Sequence, residues 1–243
     1  MIEINKVKKS FDGKSVLKDI TLTIPDGQTI VIVGCSGCGK SVLLKCIMGL
    51  LTVDQGEIIV DDENVCAMKH KDIYRIRQKF GMLFQSAALF DSMTVEENIG
   101  LPLREHSDLD EDEIEARIRH ILKLVQLPDV EKKYPAELSG GMKKRVGLAR
   151  ALIINPRYVL FDEPTTGLDP VMADNINELI IETHRKLNIT SIVVTHDMES
   201  AFKIGDRIAM ISRGRIVFHG STGEFESSKN KVVHMFMKGR AKT

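Results

Sequence analysis

The chain has 243 residues, 43% of them hydrophobic and 28% charged, and its 34 Lys and Arg balance 34 Asp and Glu. Such a chain can bury a core as one large domain or two small ones, and a formal net charge of zero gives no long-range field to gather nucleic acid. No stretch approaches the ~18 apolar residues of a bilayer span, and the opening MIEINKVKK lacks the apolar core of a signal peptide, so the expectation is a protein of the reducing cytosol.

The first elements read as antiparallel β-structure. Ile2 and Ile4, then Ile20, Leu22 and Ile24, alternate with polar residues, and Asp12-Gly13 and Pro25-Asp26-Gly27 supply turns. Thr29–Val33 is an apolar run that predicts a buried strand, and residues 41–48 predict a helix. Between them lies GCSGCGKS, residues 34–41, which fits G-x-x-x-x-G-K-[ST] in the strand-to-helix setting where that pattern has meaning. Gly34, Gly37 and Gly39 permit backbone conformations that a side chain blocks, so successive N–H groups converge on phosphate oxygens at the positive end of the helix dipole. Lys40 then adds a full charge at the β and γ phosphates, and the Ser41 hydroxyl is placed for Mg²⁺. Of the four cysteines, Cys35 and Cys38 form a C-x-x-C, elsewhere a redox or zinc pair. Here they occupy variable positions of the phosphate loop, without a second pair at zinc spacing, and are expected to be ordinary loop residues.

Further on, residues 56–60 and 79–85 predict strands, and Thr94-x-x-Glu97 predicts a capping box. From Glu111, Ile114, Ile118, Ile121, Leu122 and Val125 recur at helical spacing up to Pro128. Ser139 precedes a helix carrying Val146, Ala149, Leu152 and Ile153 that stops near Asn155-Pro156. A buried strand over residues 158–161 runs into Asp162-Glu163-Pro164. Asp169 then caps a helix that has Pro170 in its first turn and reaches about residue 187. A strand over 191–195, a hairpin of 207–212 with 215–219 joined at Arg213-Gly214, and a short solvated tail from about Lys229 complete the reading. The alternation of strand and helix predicts an α/β fold with a parallel sheet and a ligand at the carboxyl ends of its strands.

A phosphate loop alone leaves kinases, GTPases and many ATPases open. Leu138-Ser139-Gly140-Gly141-Met142 narrows the field, because a Ser cap followed by two glycines opens a second anion-binding helix N-terminus. Together with the other motifs it resembles the LSGGQ signature of ATP-binding cassette (ABC) proteins. The resemblance runs in order along nearly the whole chain, through Phe11 as the adenine-stacking aromatic, the Walker A loop at 34–41, Gln85 of the Q-loop, Asp162 and Glu163 of Walker B, Asp169 of the D-loop and the switch His196.

That resemblance implies one ABC nucleotide-binding domain over 1–243, with a RecA-like parallel-sheet core, an antiparallel β subdomain, an α-helical subdomain at about 86–155 and a tail at about 229–243. Its cofactors are ATP and Mg²⁺. The implied nucleotide contacts are Phe11, Val16, Gly34, Cys35, Ser36, Gly37, Cys38, Gly39, Lys40, Ser41, Val42, Gln85, Ser139, Gly140, Gly141, Asp169 and His196, and the implied Mg²⁺ ligands are Ser41, Gln85 and Asp162. Catalysis falls to Glu163 acting on the attacking water, with Lys40, Gln85 and His196 at the γ-phosphate. The implied assembly is a head-to-tail homodimer in which the signature helix of one subunit completes the other's site. It binds an integral-membrane permease near residues 85–99, at the cytoplasmic face of the inner membrane, and no nucleic acid. Ala87, Ala88, Leu89, Phe90 and Met93 are apolar enough for that docking surface, with core packing as the alternative for each.

Two departures stand out. Met142 replaces the signature glutamine and removes that amide's polar contacts, and TGLD at 166–169 replaces SALD. LSGGM followed by Lys143-Lys144-Arg145-Val146, together with residues 82–91 and 97–105, resembles the ATPases of MCE-type, Mla-like bacterial phospholipid transporters. A transporter of amino acids or other small solutes is the alternative. A cassette ATPase acting on DNA or ribosomes is a third reading, and this chain has neither the long coiled coil nor the second cassette usual there.

Overall fold

The computed structural model describes residues 1–239 and consists of two compact units, Met1–Lys79 with the chain from Thr190 onward, and Phe80–Ile189. The first unit opens with β1 (Ile2–Phe11) and β2 (Lys14–Ile24), antiparallel, with Ile2 opposite Ile24 and Ile4 opposite Leu22. Next come β3 (Thr29–Val33), α1 (Lys40–Ile47), β4 (Gln55–Val60), β5 (Glu63–Asn64) and α2 (His70–Arg77). One sheet has the order β2-β1-β4-β5, and its alternating residues Ile2, Ile4, Leu22, Ile24, Ile58 and Val60 are buried, as period two requires. Helix α2 was not legible in the sequence, because among its described side chains Ile76 alone is fully buried and no apolar stripe forms. It nevertheless has structural work, since Arg77 donates to the Met48 and Gly49 carbonyls at the end of α1 (3.3 and 2.8 Å).

The second unit holds β6 (Phe80–Leu83), α3 (Val95–His106), α4 (Glu111–Leu124), α5 (Gly140–Leu152), β7 (Tyr158–Asp162) and α6 (Pro170–Leu187). β6 and β7 are parallel, with Phe80 beside Tyr158 and Leu83 beside Phe161, and the Phe80 and Tyr158 rings stack at 5.1 Å. The strand expected over 79–85 is shorter, because the chain leaves the sheet at Phe84. Gly81 lets α5 come close, since a Cβ there would lie 2.2 Å from the Ala151 carbonyl oxygen. The expected capping box is present, with Thr94 Oγ1 accepting from Glu97 N (3.3 Å) and Glu97 Oε2 accepting from Thr94 N (2.7 Å). In α4 the residues Ile114, Ile118, Ile121 and Leu122 form the buried stripe their spacing predicts.

Back in the first unit, β8 (Thr190–Thr195), α7 (Met198–Ile204), β9 (Arg207–Ser212), β10 (Arg215–Ser221), α8 (Thr222–Glu226) and α9 (Lys231–Met237) follow. β3 lies between β8 and β9, parallel to both, and all five of its residues are buried. The β9–β10 hairpin turns at Arg213 and Gly214, both with positive φ (50° and 79°), as a tight right-twisted hairpin demands. The tail is not simply solvated. Phe225 of α8 packs edge-on against Phe218 and Phe202, and α9, capped by Asn230, buries Val233. Residues 240–243 of the expected tail lie outside the described residues. Among the described residues no helix is long and apolar enough to cross a membrane.

Candidate functional site

In the first unit the phosphate loop joins β3 to α1, as the motif predicts. Its glycines are shaped by tertiary contact as well as by φ. A Cβ at Gly34 (φ 156°) would lie 2.3 Å from the Ile211 carbonyl oxygen and 2.7 Å from Cys38 Sγ; at Gly39 (φ 104°) it would lie 2.7 Å from Leu17 and 3.1 Å from Val16. Val16, expected in the nucleotide site, therefore touches the loop. Gly39 is the N-cap of α1, no side chain caps that helix, and its first turn holds no acidic residue, so the helix N-terminus is shaped to take an anion. Lys40, 6% exposed, donates from Nζ to the carbonyls of Gly34 (2.9 Å) and Cys35 (3.3 Å), folding its charge back over the loop. Ser41 and Val42 follow it, half-buried.

Cys35 and Cys38 are free thiols on a tight turn closed by Cys38 N donating to Cys35 O (3.3 Å). Burial pushes the Cys38 thiol pKa up, against the pull of the Lys40 charge and N–H. Ser36 and Gly37 at the tip are exposed. His196 comes directly after β8, whose Thr195 pairs with Val33, so the strand register sets His196 beside the start of the phosphate loop. The residue is exposed and the chain around it is held. Asp197 N donates to Thr195 Oγ1 (3.0 Å), and the Asp197 carboxylate accepts from Glu199 N (3.0 Å) and Ser200 Oγ (2.5 Å). Phe11, half exposed near the β1–β2 turn, lies under Lys9 Nζ at 5.3 Å from its ring.

In the second unit β6 and β7 run side by side up to Leu83 and Phe161, and Gln85 and Glu163 follow two residues beyond that last pair. Asp162 and Glu163 are 8% and 9% exposed, and Glu163 sits at φ 50°, a left-handed conformation uncommon for a non-glycine residue. Thr166 Oγ1 donates to Glu163 Oε2 at 3.1 Å. Lys144 of α5, not expected from the sequence, donates from Nζ to the Gln85 carbonyl (2.5 Å) and the Glu163 carbonyl (3.2 Å). A signal for it existed: Gly141, Lys144, Leu148 and Ala151 share one buried helix face at spacings of three and four, yet a Lys-Lys-Arg run reads as solvated.

Ser139 caps α5, its Oγ accepting from Met142 N (3.3 Å), and Asp169 caps α6, its Oδ1 accepting from Met172 N (3.0 Å). A Cβ on Gly141 would lie 2.0 Å from Met172 Cε, so α6 packs over the signature glycines, while Gly140 stays exposed. The expected docking patch divides. Ala87 belongs to the core, whereas Ala88 and Phe90 are exposed and Leu89 and Met93 half-buried. The loop that carries them is held by side-chain donors. Arg150 donates to the Ala87 and Ala88 carbonyls (both 2.8 Å), and the buried Asn98 accepts from Phe90 N (2.8 Å) and donates to the carbonyls of Phe90, Met93 and Thr94 (3.1, 3.1 and 3.0 Å).

Residues 17–166 match the family model described as ABC transporter. The chain is 43% identical to the Mycobacterium tuberculosis "Probable ribonucleotide transport ATP-binding protein mkl" over 98% of its own length and 67% of that protein's. It is 40% identical to the methionine import ATP-binding protein MetN of Vibrio vulnificus (98% and 70% covered). Identity is 36% to the intermembrane phospholipid transport system ATP-binding protein MlaF of Haemophilus influenzae, with 99% and 91% covered. Its fold matches an ATP-binding cassette solved as a dimer in a post-hydrolysis state with ADP and Pi, at a TM-score of 0.84, 31% identity and 91% and 98% coverage. With a family model covering more than half of its length and relatives alike along nearly all of it, the chain belongs to the ABC transporter family as an ATP-binding, ATP-hydrolysing subunit.

Proposed function

We propose that this subunit powers phospholipid movement through an MCE-type, Mla-like envelope transporter. In this reading it works as a head-to-tail homodimer bound to an integral-membrane permease at the cytoplasmic face of the inner membrane. The observation that carries it is the segment from Met82 to Glu105. Its sequence resembles that subfamily, its apolar residues Ala88 and Phe90 are exposed, and MlaF is 36% identical over 91% of its length. The likeness to mkl and MetN favours ribonucleotide or methionine transport as the competing reading.

The chemistry assigned to the chain is phosphoryl transfer to water. Lys40 and the N–H groups of residues 35–41 bind the β and γ phosphates of ATP, and Phe11 and Val16 contact the base. Glu163 orients and deprotonates the attacking water, His196 and Gln85 contact the γ-phosphate, and Ser139 to Gly141, with Asp169, complete the partner subunit's site. The residues fit magnesium, since Ser41, Gln85 and Asp162 offer the hard oxygen donors it prefers. When bound, the ion neutralises charge on the β and γ phosphates.

The test is affinity purification from native membranes, with identification of the co-purifying permease and its bound lipid. An MCE protein with phospholipid supports the reading; a solute permease with no MCE protein overturns it and leaves the family assignment standing. In the same assembly, Glu163→Gln should bind ATP and lower hydrolysis on the order of 10²- to 10⁴-fold.

A further inference from the structure

Phe11, read as the contact to the nucleobase, follows an irregular stretch of β1. The ladder to β2 shifts register between Lys9 and Ser10, and such a shift re-aims the side chains that come after it. Asp54, the residue before β4, closes this end of the strand with three bonds. Its N donates to the Lys8 carbonyl (2.8 Å), Oδ2 accepts from Ser10 N (2.6 Å) and Oδ1 accepts from Lys9 Nζ (3.0 Å). The Lys9 hydrogen bond above all, and then the Ser10 N–H, hold the Asp54 carboxyl below the usual carboxylate range, so the pair stays charged. Against a carboxylate that is 40% exposed, the ion pair by itself contributes little. The ammonium has a second partner. Its nitrogen lies 5.3 Å from the centre of the Phe11 ring, within reach of a cation–π contact.

We infer that Lys9 is a positioning residue for the nucleobase of ATP: fixed by Asp54, its ammonium occupies one face of the Phe11 ring and leaves the opposite face for stacking. The inference rests on the reading of Phe11 as the nucleobase contact. Two effects act in the same direction. The ring belongs to a residue 40% exposed, and a cation on one face restricts its rotation before the ligand arrives, so less freedom is lost on binding. The ammonium also draws on the negative face of the ring, which lessens the repulsion between two stacked π-systems. Both effects act through the ring. The Lys9 charge is balanced by Asp54, so it adds to the affinity for a nucleotide and not to the affinity for its phosphates alone.

The test titrates the full chain calorimetrically, in magnesium, with ATP and with inorganic tripolyphosphate, which carries the phosphates without a nucleobase. Lys9→Met keeps the stem and loses the cation, and Lys9→Arg keeps a cation. Thermal melts are run on each, with Lys9→Gln substituted for Met should that variant not fold. The expected result for Lys9→Met is an ATP affinity about three- to fivefold lower with tripolyphosphate affinity within about 1.5-fold of wild type, and Lys9→Arg should recover most of the loss. Phe11→Ala should lose about tenfold for ATP, and Lys9→Met/Phe11→Ala should match it within about 1.5-fold, since the lysine works through that ring. An unchanged ATP affinity in Lys9→Met overturns the inference. So does an equal loss for both ligands, which a merely structural ion pair would give, or a further fall of about threefold in the double variant. Normal ATP affinity in Phe11→Ala is a separate outcome, which sinks the reading of Phe11 itself and the inference with it.

Discussion

The phosphate loop at residues 34–39 and the loop at residues 84–94 both bend sharply after a parallel strand, and they are built by opposite means. The first is shaped by missing side chains. Gly34 and Gly39 have φ values and neighbours that exclude a Cβ, and Lys40 folds back over the carbonyls. The second contains no glycine. Ala87 and Ala88 adopt positive φ all the same, their carbonyls bound by Arg150, while Lys144 at Gln85 and Asn98 at residues 90–94 hold the chain on either side from α5 and α3. A loop made by glycines carries its own instructions, so it leaves its N–H groups for a ligand. A loop made by distant donors depends instead on the helices that hold it.

The largest effect should come from Gly34→Ala. A Cβ only 2.3 Å from a backbone oxygen cannot be relieved by a rotamer, and a cost of about 3 kcal/mol corresponds to roughly a hundredfold loss of nucleotide affinity in a fluorescent-ATP titration. An affinity within about fivefold of wild type would show that the first loop is not built as described.

Asn98→Ala should come next. It removes the acceptor for Phe90 N and the amide's contacts with the carbonyls of Phe90, Met93 and Thr94, of which those of Phe90 and Thr94 keep backbone donors, for about 2 kcal/mol of stability in urea unfolding. ATP affinity should hardly change, so equal damage to both properties would erase the distinction between the loops.

A reciprocal exchange gives a smaller signal of opposite sign. Gly37 has open space around its Cβ position at φ 73°, so Gly37→Ala costs only backbone strain, about 1 kcal/mol. Ala88→Gly relieves similar strain against a higher unfolded-state entropy, and its urea midpoint should hold or rise slightly. A fall of about 1 kcal/mol in both would mean that the alanines are not held against preference.

The smallest signal lies in pH. Burial sets the folded Lys144 pKa below its unfolded value, so between the two the unfolded chain binds more protons and stability rises with pH. Wild type should show that alkaline rise relative to Lys144→Met, with a slope below about 1.4 kcal/mol per pH unit. A parallel pair of curves would contradict it.

Sequence alone determined what local chemistry determines. The alternation of Ile2, Ile4, Leu22 and Ile24, the all-apolar β3, the α4 stripe, the caps at Thr94, Ser139 and Asp169 and the phosphate loop each depend on residues a few positions apart, where period, φ preference and capping act directly. Tertiary structure decided what a pattern of period two or 3.6 does not encode. It made a helix of residues 70–77 with one buried apolar anchor, drew α9 onto the fold through Val233, sent Ala87 inward and Phe90 outward, and picked Lys144 from a run of three cations for burial against Gln85 and Glu163. The reason is energetic. A buried ammonium, or an alanine at positive φ, is unfavourable by itself and becomes favourable only when donors and acceptors some sixty positions away in the chain are already in place.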